Sequence, residues 1–174
     1  MRTILILLAA LFALAAPVAA QQAATIVAKN SVMIEKASRQ TIGPVIDALA
    51  ASGDPAAATI LQAWADRAMG VRKSDGAFVL LTPTADGYAL RDLSLTDIVP
   101  AEKSDITELR PNAGVRALIA TALVQFTLSD PDPAKRADAL TSIARNPTAD
   151  ALTPLRASID TESDPALKAR KYPS

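Results

Sequence analysis

The stretch VRKSDGAFVLL, Val71 to Leu81, interrupts a chain whose flanks are alanine-rich and read as helices. Asp-Gly is favoured in tight two-residue turns because both central residues must reach positive φ. The stretch therefore predicts a β-hairpin turning at Asp75-Gly76, with Val71 and Arg72 before the turn and Phe78 to Leu81 after it. Thr82-Pro83 ends the second strand, and DGYALRDL, residues 86 to 93, offers a third. Residues 94 to 111 carry Pro100, Pro111 and scattered charge, and predict a long ordered loop.

Upstream, residues 24 to 40 predict a helix with a break at Asn30-Ser31. Ile42, Val45, Ile46 and Leu49 follow at i, i+3, i+4 and i+7, one apolar stripe, with Pro44 either opening that helix or kinking it. Gly53 ends it and Asp54-Pro55 starts the next, where the sequence places a cap and a first-turn proline. Ala57, Ile60, Leu61, Trp64 and Ala68 form that helix's stripe, and Gly70 closes it. Trp64 reads as core. Downstream, Asn112 caps a helix with the stripe Val115, Leu118, Ile119, Ala122 and Phe126. Asp132-Pro133, Asn146-Pro147 and Asp164-Pro165 open three more.

Asp/Asn-Pro helix starts recur, and Pro133 and Pro165 stand 32 residues apart. A period in that range, with one amphipathic helix pair per unit, is the mark of a helical array. The expected fold is mainly α, a HEAT-like α-solenoid with an inserted β-hairpin. The blocks are residues 21–70, a hairpin and loop insertion over 71–111, and a second helical block over 112–174. A terminal unit is stabilised mainly by its neighbour, so the short last helix is expected to fray from about residue 163.

Composition narrows the function. The 174 residues include 18 acidic and 18 basic side chains and 3% aromatics, against a basic nucleic-acid face or a base-stacking platform. With no His and no Cys, His-based triads, Cys nucleophiles and most metal sites are excluded. No catalytic residue, metal or cofactor is expected. Residues 1–20 have Arg2, the apolar run ILILLAALFALAA and Val18-Ala19-Ala20, the pattern of a signal peptide cleaved before Gln21. The run is shorter than the ~20 residues of a bilayer crossing. The chain is expected to be exported.

The order of signal segment, ALAASGDPAAATILQAWADR, VRKSDGAFVLL, a variable loop, VRALIATALVQFTLSDPDPAKRADAL and DPALKAR resembles the N-terminal extracytoplasmic part of urea ABC transporter permeases. These are relatives of branched-chain amino acid permeases. The resemblance covers nearly the whole chain after residue 20, and its specific part is the Arg-Lys-x-Asp-Gly hairpin between two helical blocks. It implies a non-enzymatic domain contributing to urea import through protein contacts, with the urea path in a membrane part that would continue where this chain ends at Ser174. The alternative is a stand-alone periplasmic scaffold or interaction protein.

Arg72, Lys73, Ser74 and Asp75 are the candidate contact residues, as an exposed tip that would touch the permease's membrane part or its solute-binding protein. Nucleic acid and a direct small-molecule ligand are not expected. Phe78 and Tyr88 are expected to pack across the hairpin. Lys135, Arg136, Lys168, Arg170 and Lys171, interspersed with Asp132, Asp138, Glu162 and Asp164, read as a solvated face.

Overall fold

The computed structural model describes residues 21–172 apart from 146 and 148, and among these described residues eight α-helices and five β-strands follow one another. The signal-peptide reading of residues 1–20 and the Asn146 cap lie outside the described residues.

Helices α1 (Gln22–Lys29) and α2 (Ser31–Glu35) are separated at Asn30, whose amide Nδ2 bonds back to Ile26 O at 2.8 Å. Helix α3 (Gly43–Ala51) has Pro44 in its first turn, where a missing N–H costs nothing, so the proline opens the helix. Gly53 then takes φ 68°, and Asp54 starts α4 (Ala56–Ala65). Asp54 is 2% exposed. Its carboxylate accepts from Ala56 N at 2.8 Å and from Ala23 N at 2.9 Å, so one side chain satisfies orphan donors of both α4 and α1.

Helix α4 stops at Ala65 and the chain turns through Arg67 at φ 61°. Gly70 does not end this helix; it lies in β1 (Met69–Arg72). Strands β2 (Phe78–Pro83), β3 (Tyr88–Arg91) and β4 (Asp97–Ala101) follow as an antiparallel meander. A 3-10 turn (Lys103–Asp105) leads into β5 (Ile106–Glu108), which pairs back onto β1. The strand order is β4-β3-β2-β1-β5.

That order forces the sheet to curl. Laid flat, five strands at the usual spacing put the two edges about 19 Å apart. The link from Ala101 to Ile106 includes a tight 3-10 turn and spans only about 12 Å. The edges must therefore bend toward each other, and a side-chain contact records it: the Tyr88 hydroxyl on β3 donates to Glu108 on β5, two strands away from being neighbours. Val79, Leu81, Tyr88, Leu90 and Ile106 fill the inside of the curl, with Ile98 and Ala101 against them. Gly70 faces the same space. A Cβ there would sit 2.7 Å from Ile106 Cγ2 and 3.0 Å from Thr107 O, so Ile106 occupies the room a side chain would need.

The convex face of the sheet packs on the helices. Met69, Phe78, Leu80, Leu93 and Leu109 join Ile42, Ile46, Leu61, Trp64, Val115 and Ile119 in the largest core. Strand β2 is thus buried on both faces, which is why it reads as an unbroken apolar run. Phe78 and Tyr88 belong to different cores and do not form the expected cross-hairpin pair. The sheet begins and ends at one place: Leu109 N donates to Met69 O at 2.9 Å.

Helix α5 (Ala113–Leu128) is capped by Asn112, whose Oδ1 accepts from Val115 N at 3.0 Å. It packs against α3 and α4 on one side, and against α6 (Pro133–Arg145) and α7 (Ala149–Ala157) on the other. Helix α8 (Pro165–Lys171) packs on α6. A third core, from Leu128, Leu140, Ile143, Leu155 and Leu167, lies among α5 to α8.

The mainly-α, HEAT-like solenoid with an inserted hairpin is therefore overturned. The protein mixes helices with a five-stranded antiparallel sheet, and residues 94–111 contribute two of its strands. The helices are not stacked pairs that touch only sequential neighbours; α5 is an axis with helices on both sides. Asp-Pro marks where helices start without saying how they stack.

Candidate functional site

The four residues chosen from the sequence sit at one end of the sheet, and the structure brings three of them into a fixed turn. Only Gly76 takes positive φ, 71°, and Asp75 does not. The expected two-residue turn is replaced by a longer one: Arg72 N donates to Ala77 O at 2.8 Å and Gly76 N to Arg72 O at 2.8 Å. Asp75 Oδ1 accepts from Ala77 N at 3.1 Å, which fixes the turn's far side.

Arg72 and Asp75 form a two-pronged ion pair. Nε to Oδ1 is 3.0 Å and Nη2 to Oδ2 is 2.7 Å, the planar fork matching the carboxylate. That pairing, with the Ala77 amide, brings the Asp75 carboxyl down to about 2, and raises the Arg72 guanidinium from its ordinary value. Lys73 is tied elsewhere: its Nζ donates to Ser104 O at 2.6 Å and its amide to Asp105 O at 2.9 Å. The lysine thus joins the β1–β2 turn to the 3-10 turn. Ser74 is exposed at the tip. The charges of the candidate contact tip hold the end of the sheet together, and what they present to solvent is a stiff polar knuckle.

A second cluster was missed by sequence reasoning. Arg136 and Lys171 are not on a solvated face: their side chains are 11% and 1% exposed. Between them lies Glu162, 1% exposed at its side chain, which receives Arg136 Nη2 at 2.8 Å, Arg136 Nε at 3.1 Å and Lys171 Nζ at 2.9 Å. Arg136 Nη1 also donates to Asp130 O at 2.8 Å, and Lys171 Nζ to Ser158 O at 3.1 Å. Arg136 first, then the amide of Asp164 and the Lys171 ammonium, pull the Glu162 carboxyl down to about 2 despite its burial. The cluster borders a cavity of about 430 Å³ that includes Ser129, Asp130 and Ser163. The Glu162 carboxylate is already bonded on both oxygens, so its chemistry is that of a clamp on α8.

The clamp and the Asp164 cap hold the segment that was expected to fray from residue 163. Asp164 caps α8 through Ala166 N at 2.8 Å, Leu167 is buried, and Lys171 anchors the far end. The sequence signal was spacing alone: Arg136 stands four and seven residues before Leu140 and Ile143, and Lys171 four residues after Leu167.

Among the described residues, no group of three or more His, Cys, Asp or Glu is placed to hold a metal, and no helix is long and apolar enough to cross a membrane. Comparison with protein-family profiles, with curated proteins and with solved structures finds no match.

Proposed function

We propose that this chain is a non-catalytic, extracytoplasmic contact domain working with an ABC-type urea permease, as its sequence resemblance implies. The observation that carries the contact role is the preformed tip at Arg72 to Asp75. A turn held by a two-pronged ion pair and by a lysine bridge to Ser104 loses little freedom when a partner closes on it. Its charges are exposed in part, Arg72 by 28% and Asp75 by 48%, so the tip offers polar contacts without having to unfold. The partner it fits is a permease membrane part or solute-binding protein whose surface is complementary to a knuckle with one cation and one anion side by side.

The test is binding of residues 21–174 to the cognate solute-binding protein and to the detergent-solubilised permease, by biolayer interferometry. Ser74→Trp, which places bulk at the tip without touching the ion pair, is expected to weaken that binding at least tenfold, ~1.4 kcal/mol. In intact cells, loss of the domain is expected to lower uptake of labelled urea, while the isolated chain in liposomes leaves urea flux at background. Unchanged uptake together with no binding to either protein overturns the proposal.

A further inference from the structure

We infer that the face formed by the end of α1 and by α2 rests on an anionic bilayer surface. Lys29, Val32, Met33 and Lys36 fall at i, i+3, i+4 and i+7, and the break at Asn30 is slight enough that all four line one shallow groove. Val32 is 67% exposed and Met33 39%, two large apolar side chains set between two lysines. Most exposed apolar residues stand singly and need no account. These two are adjacent, rimmed by cations, and sit on a helix whose opposite side is already committed to the core through Ile34.

Charge selects the occupant. The chain as a whole has no net charge, yet residues 21–46 contain Lys29, Lys36 and Arg39 against Glu35 alone. A second copy of the chain meeting this face across a two-fold axis would oppose lysines to lysines, which is repulsive. An anionic surface with an apolar layer beneath it matches both features, taking the lysines at the headgroups and Val32 and Met33 below them.

The three cores described lie within residues 21–172, and residues 21–174, starting at the expected cleavage point, are the protein to use, with circular dichroism and a melting curve confirming that they fold. The experiment is sedimentation with sucrose-loaded vesicles of phosphatidylglycerol mixed with phosphatidylcholine, against phosphatidylcholine alone. Residues 21–174 are expected to favour the anionic vesicles by at least about tenfold at low salt, and to lose most of that preference at high salt. Lys29→Glu with Lys36→Glu, and separately Val32→Asp with Met33→Asp, are each expected to lower partitioning about fivefold or more while leaving circular dichroism and melting unchanged, since all four side chains are exposed. Equal recovery with both vesicle types overturns the inference, as does wild-type partitioning by both double variants. A concentration-dependent dimer in light scattering that Val32→Asp with Met33→Asp abolishes would assign the face to a second copy instead.

Discussion

Glu162 decides whether two buried cations are tolerable. Breaking a buried pair by neutralising one partner leaves an uncompensated charge and costs about 3–5 kcal/mol. Glu162→Gln, which keeps the shape, is expected to lose roughly that in urea denaturation, and adding Lys171→Met is expected to recover part of it. The pH dependence follows from the carboxyl's position. Held at about 2 against an ordinary 4.5, Glu162 contributes its full stabilisation above about pH 5 and loses it as pH falls from about 4.5 toward 2. The wild-type midpoint should decline over that window, and Glu162→Gln should flatten the decline. Gly76 makes a different demand. A Cβ there meets nothing within 4 Å, so the obstacle to a side chain is its φ of 71° and not crowding. Gly76→Val is expected to cost about 1–2 kcal/mol and to loosen the tip, with the helical circular dichroism signal retained because the helices have cores of their own. Equal loss of helix signal would show that the tip and the helices stand or fall together.

Elements were legible where burial is one-sided. Ile42 to Leu49 show their stripe because one face meets the core and Pro44, Asp47 and Ala48 on the other meet water. Asp54, Asn112, Asp132 and Asp164 each cap the helix that the sequence assigned to them. Strand β4 was not legible, since as an edge strand it buries neither face cleanly and contains Pro100 and a fully outward Val99, 79% exposed. Strand β5 has three residues, too few for any alternation to register. The contact residues Arg72 to Asp75 were legible as a turn, but the bond from Lys73 to Ser104, 31 positions away, is one that no local pattern encodes. Asp54 shows the same limit: its role for α4 could be read, and its second bond to Ala23 could not. Because two helices share it, Asp54→Ala is expected to cost about 2–4 kcal/mol, more than a single cap, and to raise hydrogen exchange in α1 as well as in α4. Exchange raised in α4 alone would count against the shared cap.

At the scale of the whole molecule, the curled sheet leaves the helical body at Met69 and returns at Leu109, one hydrogen bond away. That proximity bears on how fast the protein folds. Helices α4 and α5 pack together although the sheet separates them in sequence, and bringing them into contact through an unstructured connector would carry the closure entropy of a loop of about 40 residues. Pairing β1 with β5 shortens the effective loop to a few residues, roughly three halvings, or about 2 kcal/mol of barrier. The sheet would then act as the staple of the nucleus, formed before the helices on either side of it dock. Ile106→Val, trimming β5 inside the curl, should cost about 1 kcal/mol and slow refolding about fivefold, with little change in the unfolding rate, as followed by Trp64 fluorescence in stopped flow. Were the unfolding rate to absorb the change instead, the helices would dock first and the sheet would close late. On the first outcome, the segment that interrupts the helices is what lets them find each other quickly.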